Sequence, residues 1–201
     1  MKMETEVEAK FLDVDIKKFR SKLKSLNAKL VHPEVFMKRR TFDYSDDRLR
    51  KIGGWIRVRD EGKKVTMSYK QLNDRSLHGT KEITVGVSDF NKACEFLIDI
   101  GFKQKSYQET KREKWSLEGN EITIDTWPWV PNFVEIESKD ELALKKIVKK
   151  VGFKFEDALH GSVENVYQKD FDVTEDEIDS WESITFIKTP KWLEKKRKLD
   201  E

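Results

Sequence analysis

Residues Lys2 to Leu12 alternate with a period of two. Glu4, Glu6, Glu8 and Lys10 share one face, and Thr5, Val7, Ala9 and Phe11 share the other. The pattern predicts a strand with one charged and one apolar face. It recurs along the chain: Trp55, Arg57 and Arg59 alternate with Ile56 and Val58, and Thr66, Ser68 and Lys70 with Val65, Met67 and Tyr69. Thr80, Glu82 and Thr84 alternate with Ile83 and Val85, and Glu121, Thr123 and Asp125 with Ile122 and Ile124; Glu135 and Glu137 alternate with Val134 and Ile136. One such strand alone would turn its charges to water. Many of them, interleaved with few helices, predict a sheet whose apolar face is covered by those helices. Its charged face then curls around a polar cavity, since closure also removes the sheet edges.

Between the strands, helical spacing appears in a few places. Asp13 is placed to cap a helix whose stripe is Ile16, Phe19, Leu23, Leu26 and Leu30. A long strand follows from Val31 to Tyr44, with Lys38, Arg40 and Phe42 on one parity and Met37, Arg39 and Thr41 on the other. Which parity faces inward stays open, and the run Lys38, Arg39, Arg40 is read as an exposed basic strand, with the cavity mouth as the alternative. A polar loop ends in Gly53-Gly54, and Glu61-Gly62 turns the chain between the next two strands. The second half repeats this order: a strand from His78 to Val87, a helix after Ser88, a strand from Phe102 to Trp115, a turn at Glu118-Gly119-Asn120, and strands at 121 to 127 and 132 to 138. The fold class expected is therefore α+β: an eight-stranded antiparallel barrel built from two βαβββ halves, with helices packed outside.

Ser138 to Glu141 has the capping-box spacing and opens a helix with Leu144, Ile147, Val148 and Val151 on one face. Ser162 is expected to start another, carrying Val163, Val166, Tyr167 and Phe171. Thr174 to Glu177 is a further capping box, followed by Trp181 and a short apolar run, SITFI, expected as a covering strand. The division expected is a main domain over 1–170 and an extension over 171–201 that packs on or caps the barrel and ends in a basic, solvated tail.

Charged residues make up 39% of the chain against 37% hydrophobic, a balance that would suit disorder were it not for six Trp, twelve Phe and the clear periodicity. Forty Lys and Arg against 38 Asp and Glu leave a formal net charge of +2, so no global field selects nucleic acid or a membrane surface. No apolar run is long enough to span a bilayer and the N-terminus lacks a signal-peptide core, so a cytoplasmic location is expected. The lone Cys94 sits at helical spacing among Phe90, Ala93, Leu97 and Ile98 and reads as core filler. His32, His78 and His160 lack zinc-ligand spacing.

The inward parity collects a basic set, Lys10, Arg57, Arg59, Lys70, Arg112 and Lys114, and an acidic set, Glu6, Glu8, Glu82, Asp125, Glu135 and Glu137. Burying these without partners is prohibitive, so the cavity must hold water, ion pairs or a polyvalent ligand. Arg binds phosphate oxygens bidentately and Lys as a point charge. Clustered carboxylates suit hard divalent cations such as Mg²⁺ or Mn²⁺, which also bridge phosphate oxygens. The chemistry is that of a metal-bound polyphosphate.

The same residues resemble the CYTH domain, the family of class IV adenylate cyclase and thiamine triphosphatase, also called triphosphate tunnel metalloenzymes. Glu6-Val-Glu8-Ala-Lys10 matches its ExExK pattern. The resemblance runs on in order through Trp-Ile-Arg57-Val-Arg59, Tyr-Lys70, Lys-Glu82-Ile, Lys-Arg112-Glu-Lys114-Trp, Ile-Asp125 and Val-Glu135-Ile-Glu137, covering about residues 3 to 170. It implies a tunnel that binds a triphosphate through Lys10, Arg57, Arg59, Lys70 and Arg112. It also implies Mg²⁺ or Mn²⁺ on Glu6, Glu8, Glu135 and Glu137, with Asp125 a weaker ligand, and a catalytic group of Glu6, Glu8 and Lys10. The usual KxR pattern on the sixth strand is imperfect, because Lys111 adjoins Arg112, so Lys114 is the replacement on that face. Glu82 is either a tunnel carboxylate or an ion-pair partner of a neighbouring Arg.

Attack by water on such a triphosphate hydrolyses it, whereas attack by a ribose hydroxyl makes a cyclic nucleotide. Class IV cyclases often carry a His-Phe pair before ExExK, and here Met-Lys-Met-Glu stands there. The resemblance therefore favours a triphosphatase acting on inorganic triphosphate, a nucleoside triphosphate or another small organic triphosphate. A class IV adenylate cyclase is the alternative, and a non-catalytic polyphosphate or nucleotide sensor the second. Trp127 and Trp129 either stack on a base or pack under the C-terminal helices. The expected partners are a small triphosphate or nucleotide, with no membrane or specific nucleic acid, in a monomer or homodimer.

Overall fold

The two-residue alternation is realised as a single twisted sheet. The computed structural model describes residues 3–198; Lys2, at the start of the first expected strand, and residues 199–201, at the end of the basic tail, lie outside the described residues. In order, the elements are β1 (Glu4–Thr5), β2 (Val7–Phe11), α1 (Ile16–Ser25), β3 (Lys29–Asp43), β4 (Gly54–Asp60), β5 (Val65–Leu72), β6 (Thr80–Val87), α2 (Phe90–Asp99), β7 (Lys103–Leu117), β8 (Asn120–Thr126) and β9 (Phe133–Ser138). Then come α3 (Glu141–Val151), α4 (Glu164–Asp170), α5 (Glu175–Asp179), β10 (Ser183–Ile184) and α6 (Lys191–Glu194).

The strand order is β1-β6-β5-β4-β3-β7-β8-β9-β2, antiparallel throughout, with β10 added in parallel to β7. The N-terminal strand joins the two ends of this order. Its first residues pair with β6, Glu4 opposite Glu82, and its later ones with β9, Lys10 opposite Glu135. The strand breaks at Glu6, whose backbone N–H donates to the Thr80 carbonyl at 3.0 Å. The sheet is thereby nearly closed into a barrel, as the charged inner faces required. The eight expected strands become ten, because the first is split at this change of partner and β10 is added.

The apolar faces point outward under the helices. Ala9, Ile122 and Ile136 of the strands pack against Leu23 of α1 and Leu144 and Ile147 of α3, all essentially without solvent contact; burial of each such Leu or Ile side chain is worth about 1.5–3 kcal/mol. Phe42 and Val58 of the sheet form a second cluster with Phe90, Cys94 and Leu97 of α2. A third joins the barrel residues Trp127 and Phe133 to Tyr167, Phe171, Ile178, Trp181, Ile184 and Leu193 of the C-terminal segment.

Several boundaries differ from expectation. Asp15, not Asp13, caps α1 by accepting from the Lys18 N–H, while Asp13 takes a positive φ of 56° in the preceding turn. Leu30 is not part of that helix; it lies on β3 and is exposed. Asp140 caps α3, because the hydroxyl of Ser138 is committed to Asn120 on β8. The helix expected from Ser162 begins at Glu164. The capping box of Thr174 and Glu177 forms as expected. Gly53 has φ 72°, and a Cβ there would stand 2.1 Å from the Leu72 carbonyl, so the loop into β4 needs glycine to pass this close to β5.

Candidate functional site: the barrel interior

The inner faces enclose a cavity of about 950 Å³ running from one rim of the barrel to the other. At one rim lie Asp43, Gly54, Leu72 and Lys105 with Glu164 and Asp179 of the C-terminal segment; at the other lie Val31, Val35, Lys64, Lys114 and Glu121. Of the residues singled out from the sequence, Glu6, Glu8, Lys10, Arg57, Arg59, Lys70, Glu82, Arg112, Lys114, Glu135 and Glu137 line it.

The cations are held by carboxylates of their own or neighbouring strands. Lys10, 4% exposed, donates to Glu8 at 2.8 Å and lies 3.2 Å from Glu135. Burial works against its charge, but Glu8 and Glu135 outweigh it and hold the ammonium firmly protonated. Lys70 lies 2.8 Å from Glu6 and 3.1 Å from Glu82, and the Arg57 guanidinium donates to Glu82 at 3.2 Å. Glu82 is thus both a cavity carboxylate and an ion-pair partner. Arg59 pairs with Glu61 at 2.6 Å, and Lys114 with Glu121.

Arg112 donates twice to Asp125, at 2.6 and 2.9 Å, and once to Glu135 at 3.1 Å. The register puts Arg112 opposite Asp125 on β8. Asp125 also accepts from the Thr123 hydroxyl at 2.6 Å and has no solvent exposure, so it stands behind Arg112 and off the cavity wall. Lys111 faces the other way, 3.7 Å from Glu34 and over the ring of Phe186.

The acids divide by environment. Burial and a hydrogen bond with Glu82 push Glu6 up to about 8, against the pull of Lys70. For Glu82 burial is outweighed by the bond to Glu6 and the charges of Lys70 and Arg57, which hold it low. Glu135 is held low by Lys10 and Arg112 in spite of burial. Glu137 is pushed up to about 7 by burial and by Glu121, Glu135 and Glu8.

Arg39, read as exposed, is instead buried and on the cavity wall. Its parity could not be assigned because both faces of β3 carry cations. Glu61 and Glu121 also line the cavity and were not in the expected set. Trp127 and Trp129 pack against Tyr167 and Trp181, with ring centroids 6.4 and 6.0 Å apart, so the packing alternative holds.

The sequence model of the CYTH domain matches residues 4–167. The chain belongs to the CYTH family. No curated protein matches it, whereas solved structures of the same fold do. A conserved hypothetical protein from Pyrococcus furiosus is 22% identical over 81% of this chain and 99% of its own, with a TM-score of 0.64. A candidate adenylate cyclase from Vibrio parahaemolyticus is 15% identical over 83% of this chain and 99% of its own, with a TM-score of 0.69. A candidate adenylyl cyclase from Hippeastrum, described as having a dominant triphosphatase activity, is 15% identical over 83% and 96%, with a TM-score of 0.55. No helix among the described residues is long and apolar enough to cross a membrane.

CYTH proteins are metal-dependent. Among the described residues no three His, Cys, Asp or Glu side chains converge as a ready-made metal site, because Lys10, Lys70 and Arg112 hold the CYTH carboxylates as ion pairs. The donor set nevertheless fits a hard cation: it is all oxygen, and burial together with the acids crowded around Glu137 raises its proton affinity where a divalent cation would relieve the repulsion.

Proposed function

We propose that this CYTH protein hydrolyses a small triphosphate inside the barrel, with Mg²⁺ or Mn²⁺ as cofactor. The observation that carries the reading is the interleaving of Lys10, Arg57, Lys70 and Arg112 with carboxylates in a cavity roomy enough for a nucleoside triphosphate. Such a wall is built for an anion that arrives with cations of its own.

Lys10, Arg57, Arg59, Lys70 and Arg112 bind and orient the phosphate oxygens, with Lys114 nearer the rim. As charge develops on the bridging oxygen, these fixed cations stabilise it without reorganising. Glu8, Glu135 and Glu137, with Glu6 beside them, would hold the divalent cation, which supplies Lewis-acid charge at the phosphate oxygens when bound. Glu6, with its raised proton affinity, helps hold the attacking water, and Glu8 accepts the water's proton. Its oxygen bonds to the terminal phosphorus, the bond to the bridging oxygen breaks, and orthophosphate leaves together with the matching diphosphate, which is pyrophosphate when the substrate is inorganic triphosphate. The neighbours of this fold include candidate cyclases and one with dominant triphosphatase activity, so the cyclase outcome belongs in the test.

Purified protein is assayed with tripolyphosphate and with ATP, each with Mg²⁺ or Mn²⁺, for orthophosphate, pyrophosphate and cyclic AMP. The expected result is orthophosphate release that needs the metal and is lost in Glu6→Gln. Cyclic AMP with pyrophosphate from ATP would overturn hydrolysis in favour of a cyclase, and tight binding with no product would overturn turnover altogether.

A further inference from the structure

Among the described residues Arg39 is the guanidinium on the cavity wall that the ion pairs leave out. It sits on β3 opposite Arg59 on one side and Gln108 on the other, 6% exposed. Its Nη2 donates to the Thr110 hydroxyl at 2.9 Å, and its guanidinium lies 4.7 Å from the centroid of the Trp127 ring. Its buried Nε has no hydrogen-bond partner, and no carboxylate among the described residues forms an ion pair with it. Asp125, an acid whose charge favours that of Arg39, is already taken by Arg112 and Thr123. Arg57, Arg59 and Arg112 each have an acidic partner, so this isolation is particular to Arg39.

A buried, unpaired guanidinium among three others is costly. Burial, then Arg57, Arg59 and Arg112, drive its proton affinity well down. One hydroxyl and one aromatic face do not replace the water that a buried ion has lost. A side chain held this way weakens the empty protein and gains only when an anion fills the gap.

We propose that Arg39 is a phosphate-binding residue of this tunnel, taking the counter-charge it lacks from the substrate's triphosphate and completing a four-guanidinium wall with Arg57, Arg59 and Arg112. The inference rests on the proposed function for its substrate class but not on turnover. A planar fork with a free Nε–H fits phosphate oxygens bidentately. The Trp127 ring holds the fork in place, which makes Trp127 a reporter of what Arg39 binds.

The test measures tripolyphosphate binding in the presence of Mg²⁺ by calorimetry, together with the thermal midpoint with and without ligand, for the wild type, Arg39→Met and Arg39→Lys. Arg39→Met keeps the stem over Trp127 and removes the charge. Its expected signature is at least tenfold weaker binding, a smaller ligand-induced rise in midpoint, and a ligand-free midpoint equal to or above wild type. Arg39→Lys is expected to recover part of the binding. Unchanged binding in Arg39→Met overturns the inference, as does weaker binding with a ligand-free midpoint several degrees lower, the mark of a scaffold residue. A wild type that does not bind tripolyphosphate overturns both this inference and the proposed function. A wild type that binds without hydrolysing it overturns only the latter, and the Arg39 comparison then decides this inference by itself.

Discussion

Asp125→Asn separates a metal ligand from a residue that positions an arginine. Asp125 has no solvent exposure, and its two oxygens take both Arg112 bonds and the Thr123 hydroxyl. The amide keeps the shape but loses the charge, and it turns an N–H donor toward a guanidinium that only donates. Breaking a buried pair costs roughly 3–5 kcal/mol, and because Arg112 retains Glu135 at 3.1 Å the lower end applies, ~3 kcal/mol. For a chain of this size that corresponds to a fall in melting temperature of roughly 6–12 °C. Urea and thermal unfolding followed by circular dichroism measure it. Arg112, freed of its anchor, should bind tripolyphosphate about tenfold more weakly, while the Mg²⁺ concentration for half-maximal activity stays where it was. Stability within about 0.5 kcal/mol of wild type, with the Mg²⁺ requirement shifted upward, would refute this reasoning and make Asp125 a metal ligand.

Two further changes probe other charges. Glu164, facing Asp179, Glu175 and Arg75 at the rim, is pushed up to about 7 by burial and Asp179. The folded state therefore keeps a proton that the unfolded chain has released, so its stabilisation is complete at acid pH and is lost as pH rises through about 7. Glu164→Gln should remove ~2–3 kcal/mol of that fall in urea titrations at pH 5 and 8, and an unaltered slope would rule the assignment out. Glu137→Gln removes one of the crowded carboxylates, worth ~1 kcal/mol to a nearby anion. Metal-free tripolyphosphate affinity should then rise about fivefold while affinity in Mg²⁺ falls, and a change of the same sign in both would count against a metal-side role.

The parts of the fold legible in the sequence were those with a short period. Strands β4, β5, β8 and β9 carry apolar residues on one parity and charges on the other, so both their existence and their inner face followed from alternation. On β3 the rule fails, since Lys38 and Arg40 alternate with Arg39 and both faces look polar; the burial of Arg39 comes from its neighbours on β4 and β7. The same limit hid the role of Asp125, whose environment is set by the strand opposite. It also hid the split at Glu6, which marks where one strand changes partner to close the barrel. Caps were legible to within a residue or two, because Asp13 and Asp15 have the same chemistry and only backbone geometry chooses between them.

The charge on the cavity wall bears most directly on function. Carboxylates slightly outnumber Lys and Arg along it, so the wall as a whole does not attract a polyanion. Most cations are already neutralised by acids of their own or neighbouring strands, and a triphosphate must displace those acids from Lys10, Lys70 and Arg57, and Glu135 from Arg112, in order to bind. The displaced carboxylates are then left buried and charged, a cost that only protons or a divalent cation can remove. Binding of the anion and of a hard cation are therefore expected to be coupled, each making room for the other. Reciprocity of linkage then requires that the triphosphate raise the affinity for the metal by the factor by which the metal raises its own. Arg39 lies outside this exchange, because it has no acid to give up. It is the one guanidinium of the wall that can meet the triphosphate before any internal pair has opened.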